Sequence, residues 1–265
     1  VLVVSGAVAA GYLGVGRDQP PTSVVERQAA AAVGQYQLMT MFAREFEKCD
    51  TVVAQLLMMQ DDIEDRRRFL SARHTLQELL SRGVLPIINE NDVVSVDELE
   101  GEVFGDNDTL SAMVANLVDA ALLVLLGEVE GLFTADPHLD ASARLVRTVE
   151  RMDVEVEAMG GASWHDKGQG GMATKLEAAR LAAASGVDVV IASGHERDVL
   201  TRLAAGERIG TYFPATSSKI ESRKRWMLIG LSTRGEIVVD QGASGALVHG
   251  KHSLLPAGGI DGKGS

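Results

Sequence analysis

The sequence predicts an α/β fold with a mostly parallel sheet, on two observations. Short apolar runs alternate with longer amphipathic ones, and most of the apolar runs give way to a polar or glycine-rich loop, as strand ends do in such sheets. The candidate strands are Leu2–Val4, Thr51–Leu57, Leu85–Ile88, Leu122–Leu126 and Val187–Ala192. They read as continuous apolar runs, so burial on both faces is expected.

The helix candidates are Val24–Glu47, Arg68–Ser81, Asp108–Val118 and Thr174–Ala184, in which apolar residues return every three or four positions. Asp108 is placed to cap a helix beginning near Thr109. Gly83 and Gly186 follow final turns, where a left-handed residue is wanted. From Arg223 the character changes to Arg-Lys-Arg-Trp and then to strand-like pieces, Glu236–Asp240 and Ala246–His249, separated by glycines. The expected division is a large domain over 1–222 and a small β module over 223–265, with too few strands to close a sheet of its own.

Composition narrows the function classes. A chain of 265 residues with 46% hydrophobic and 23% charged residues can bury a full core. Its net charge of −12 opposes a phosphate backbone, which argues against RNA or DNA binding by bulk electrostatics. Any nucleotide site must then be built locally from Lys, Mg²⁺ and backbone N–H groups. Cys49 is the sole cysteine, so intramolecular disulfides and two-cysteine zinc motifs are excluded and a reducing, cytoplasmic setting is expected. The strongly apolar stretch Ala120–Leu126 falls far short of the ~20 residues that cross a bilayer, and no membrane partner is expected. The six histidines lack HxxxH or HxH spacing, so no metal held in a protein cage is expected.

Five loops carry candidate chemistry. In VVSGAVAAG, a strand leads into Ser5-Gly6, where backbone N–H groups and a hydroxyl can approach a ligand; a tight strand-to-helix turn would read the same way. PIINENDVV places Asn89, Glu90, Asn91 and Asp92 directly after an apolar strand, where α/β sheets bind ligands. In FGDNDTLSA, Asp106 and Asp108 can orient a cation or a lysine, and Asn107 can bond a substrate carboxylate or amine. LLGEVEGLFTADP follows another strand end and closes in a turn stiffened by Pro137. KGQGGMATK is the most specific: glycines at 168, 170 and 171 leave N–H groups open, and Lys175 falls just inside a helix N-terminus, a combination that favours a polyphosphate. It is not a Walker A loop, which needs lysine directly after its last glycine. Together these loops suit phosphoryl transfer by positioning and charge neutralisation.

At these residues the chain resembles the amino acid kinase family. The likeness runs from Val1 to about Pro256 through SGAVAAG, AAVGQ (Ala31–Gln35), DRRRFL (Asp65–Leu70), INEND, GDND, EGLFTADP, GGMATKLEAA and RKRW (Arg223–Trp226). Within that family it is similar to the members that phosphorylate the side chain of glutamate with MgATP in proline biosynthesis. The resemblance implies a three-layer sandwich around the sheet and a β-rich module like the opening of a PUA domain. It also implies L-glutamate and ATP as substrates, Mg²⁺ arriving with ATP, a homo-oligomer, and proline as a feedback inhibitor.

Carried over residue by residue, it implies that Ser5, Gly6, Asp92 and Asn107 bind glutamate. The nucleotide would meet Gly127, Glu128 and the loop Gly168, Gln169, Gly170, Gly171, Met172, Ala173 and Thr174. Lys175 would neutralise the transferring phosphoryl group, with Asp106 and Asp108 holding lysines and Mg²⁺ in register. Three departures stand out. Gly127-Glu128 replaces a hydroxyl residue and an Asp, Gln169 replaces a Thr, and Val4 replaces a hydroxyl residue. Family members also begin with a strand ending in Lys-x-Gly-Ser/Thr, which is not found before Val1, so an N-terminally truncated kinase domain is expected. Two alternatives stay open: a kinase for another amino acid carboxylate, and a glutamate- or proline-binding regulator with impaired catalysis.

Overall fold

The computed structural model describes residues 1–16, 19–94, 107–137, 139–160, 171–218, 237–239 and 260–263, and the chain divides into two units, Val1–Lys224 and Arg225–Ser265. The first unit opens with strand β1 (Leu2–Val3) and the short helix α1 (Ala7–Gly11). Between them Gly6 sits at φ 96°, a left-handed conformation that a side chain would strain. Helix α2 (Val24–Glu47) has the predicted bounds, and the Ser23 hydroxyl caps it by accepting the Glu26 N–H at 3.4 Å. Strand β2 (Val53–Met58) and the short α3 (Gln60–Glu64) precede α4 (Arg66–Ser81), capped by Asp65, whose Oδ1 accepts from the Arg67 and Arg68 N–H groups at 2.9 Å each.

Strand β3 (Leu85–Glu90) is followed by α5 (Asn107–Leu117), β4 (Leu122–Gly127), α6 (Val154–Met159) and α7 (Met172–Ala184). Strand β5 (Asp188–Ser193), α8 (Val199–Ala204) and β6 (Thr211–Phe213) complete this unit's described strands and α-helices. Gly83 and Gly186 take φ 71° and 82° after α4 and α7, as the sequence expected of helix ends.

The mostly parallel α/β arrangement is as predicted, and its sheet layer is divided. Strands run in the order β1-β3-β2, all parallel, in one sheet, and β4-β5-β6 in the other, where β4 is parallel and β6 antiparallel to β5. Among the described residues β1 and β4 are therefore edge strands. A hydrophobic core lies between α5, α7 and the second sheet, around Leu125, Leu132, Leu176, Val189, Ile191 and Phe213. The alanines of α7, with Ala178, Ala179 and Ala182 fully buried, let helix and sheet approach closely.

Two expectations are corrected. Burial on both faces fits β3 and β5, but in β4 Leu122 and Leu126 are each 41% exposed, because this strand lies at an edge. Asp108 is not a helix cap: α5 begins one residue before it, leaving its carboxylate for a tertiary contact. The second unit contains the antiparallel pair β7 (Ile237–Val239) and β8 (Ile260–Lys263), while the predicted piece Ala246–His249 lies outside the described residues. Among the described residues, no helix is long and apolar enough to cross a membrane.

Candidate active site

Three strand ends open into one cleft of about 2420 Å³. At the first, β1 is anchored by the Val4 N–H donating to Ile88 O at 2.9 Å, and the chain turns at Ser5-Gly6 into α1. The seating of α1 depends on two glycines. A Cβ on Gly34 of α2 would lie 1.8 Å from Ala7 O, and one on Gly11 would lie 1.9 Å from Ala30 O. Only the absence of both side chains lets the two backbones touch and fixes the Ser5-Gly6 turn.

At the second strand end, Asn89 and Glu90 are buried, at 1% and 8% exposure. Asn89 Oδ1 accepts the Glu90 N–H at 2.9 Å, and its Nδ2 donates to Gln35 Oε1, also at 2.9 Å. These bonds fix which way the Asn89 amide faces. The turn continues through Asn91, whose N–H donates to Met58 O at 3.2 Å, to half-buried Asp92. Burial pushes the Asp92 carboxyl above the ordinary aspartate range, because a desolvated carboxylate resists ionisation.

Opposite, the start of α5 meets the start of α7. Lys175 Nζ lies 2.8 Å from Asp108 Oδ2, and the two side chains are only 10% and 15% exposed. The Thr174 hydroxyl lies 2.9 Å from the same Asp108 oxygen and 2.8 Å from Gly171 O, and its single proton serves one of them at a time. Gly127 gives the lysine its room, since a Cβ there would stand 2.9 Å from Lys175 Cε. Beside this pair, Asn107 Oδ1 is buried with no hydrogen-bond partner among the described residues, an acceptor open to a donor.

Of the residues singled out from sequence, Ser5, Gly6, Asp92, Asn107, Asp108, Gly127, Glu128 and the run Gly171–Lys175 all line this cleft. Asp106, Gly168, Gln169 and Gly170 lie outside the described residues. The arrangement sets a buried ammonium group and a helix N-terminus beside acceptor-rich strand ends, which suits an anionic group in transfer next to a small ligand bearing an amine. Sequence reasoning did not single out Gln35 for chemistry. Its signals were a glutamine within the small-residue run AAAAVGQ of α2 and the place of AAVGQ among the stretches that carry the family resemblance.

The model of the amino acid kinase family matches residues 1–193. Glutamate 5-kinase of Dehalococcoides mccartyi is 48% identical over 97% of this chain and 69% of its own length. That of Herminiimonas arsenicoxydans is 49% identical over the whole of this chain and 70% of its own length. An isopentenyl phosphate kinase solved by X-ray is 16% identical over 71% of this chain and 69% of its own, with a TM-score of 0.51, a likeness of fold. The chain belongs to the amino acid kinase family and, within it, to the glutamate 5-kinases.

Proposed function

We propose that the chain transfers the γ-phosphoryl group of ATP to the side-chain carboxylate of L-glutamate, giving γ-glutamyl phosphate and ADP, the first step of proline biosynthesis. The observation that carries this reading is Lys175, buried at the first turn of α7 and held by Asp108, in a cleft shared with Asp92 and Asn107. A carboxylate oxygen of glutamate attacks the γ-phosphorus, the bond to the β,γ-bridging oxygen breaks, and its electrons leave with ADP. The attacking carboxylate is already ionised at neutral pH, so the step needs no general base. That agrees with Asp108 being engaged by a lysine.

Lys175 and the α7 N-terminus would stabilise negative charge on the transferring group, and Mg²⁺ would arrive on the ATP phosphates. Asp92 and Asn107 Oδ1, which has no hydrogen-bond partner among the described residues, are acceptors suited to the substrate ammonium. The test is glutamate-dependent ADP release from MgATP. Lys175→Ala is expected to lower kcat ~10²-fold or more, as removal of a charge-stabilising group does. ADP release that ignores glutamate, or that survives Lys175→Ala, would overturn the proposal.

A further inference from the structure

We propose that Gln35 is a positioning residue for the substrate side of the cleft, acting through Asn89 to hold the strand end that presents Asp92. This rests on the reading above that Asp92 meets the substrate. Gln35 is 8% exposed and projects from α2 in a stretch where Ala30, Ala31 and Gly34 are also buried. A polar side chain so placed is costly unless bonded. Its Oε1 is bonded, to Asn89 Nδ2 at 2.9 Å, whereas its Nε2 is buried without a partner among the described residues. The acceptor end therefore accounts for an amide at this position.

Asn89 in turn uses its Oδ1 on the N–H of Glu90. The chain of bonds runs from α2 through two side chains into the backbone two residues before Asp92. The preceding residue of α2, Gly34, is the one whose missing side chain admits α1 and so seats Ser5-Gly6. Two consecutive α2 residues thus hold two different strand ends, one by backbone contact and the other by a side-chain amide. Being successive on a helix, they point about 100° apart, as reaching two neighbours requires. The role assigned to Gln35 is to keep those loops in register with each other.

The test compares the unsubstituted chain with Gln35→Met, of similar shape but lacking the amide, and Gln35→Glu, which keeps an acceptor oxygen. Gln35→Met should speed amide hydrogen exchange at residues 89–92 while leaving β5 unchanged. It should also raise KM for glutamate about 10-fold, the effect expected when a buried hydrogen bond is lost, with KM for ATP unchanged. Gln35→Glu should restore both readouts part of the way. Should Gln35→Met not fold, Gln35→Asn, too short to reach Asn89, carries the same prediction. Unchanged exchange at 89–92, or equal changes in exchange at β5 and in both KM values, would overturn the role. If the unsubstituted chain does not phosphorylate glutamate, the kinase reading fails by itself, and exchange alone decides whether Gln35 holds the loop.

Discussion

Lys175 and Asp108, with side chains only 10% and 15% exposed, are each tolerable because the other is 2.8 Å away. Removing one partner leaves an uncompensated charge, so Asp108→Ala should cost about 3–5 kcal/mol in stability as well as activity. In the double variant Asp108→Ala/Lys175→Met no charge is stranded. Thermal unfolding should recover most of the lost stability while ADP release stays abolished, which separates the structural from the catalytic share of the pair. Asp92 makes the opposite case. Its raised pKa means that ionisation is worse in the folded protein than in the unfolded chain, so whatever stability its protonated form contributes is present at low pH and lost as pH rises through its folded pKa. Asp92→Asn should therefore raise the melting temperature at pH 7, with the gain shrinking towards pH 4, while weakening glutamate binding. A variant no more stable than the parent at pH 7 would contradict that account. These residues could be picked from sequence because polar groups clustered after apolar strands, and Asp108 could be read as orienting a lysine, but which lysine was not legible because the contact spans 67 positions.

Among the elements, α1 is held most narrowly. Gly34→Ala would drive a methyl group into Ala7 O, and since the obstacle is backbone, α1 must move. The expected cost is about 1–3 kcal/mol, accompanied by a higher KM for glutamate because Ser5-Gly6 moves with the helix. Denaturant titration and glutamate kinetics on the one variant check both effects. The long helices α2, α4, α5 and α7 were legible because several turns of apolar periodicity accumulate in each, and their starts moved by two residues or fewer. By contrast α1, α3, α6, α8 and β6 have six residues or fewer, too few to display a period. Asp108 was misread for a related reason: an aspartate before an apolar run looks like a cap whether the helix starts after it or one residue earlier.

For the whole molecule, the α/β class was legible, but the division of its sheet was not. The runs Leu122–Leu126 and Val187–Ala192 look alike in sequence, and which of them is an edge depends on what lies alongside. Helix α5 touches β1, β3 and β4 and packs against α7, so it spans the two sheets. Its far end is tied to α4, where Arg73 donates to Leu117 O at 2.8 Å and pairs with Asp119. No described strand pair joins β1-β3-β2 to β4-β5-β6. Each sheet with its helices can therefore act as a separate cooperative unit, with α5 as the coupling between them. Calorimetry of the free protein should give a van't Hoff enthalpy below the calorimetric one, the mark of unfolding in more than one step. Because Ser5 and Asp92 belong to one sheet's loops and Lys175 to the other's, a ligand spanning the cleft should bring the two enthalpies together. Substrate would then serve as a strut between the loops of the two sheets, and occupancy would set how far the domain melts as one.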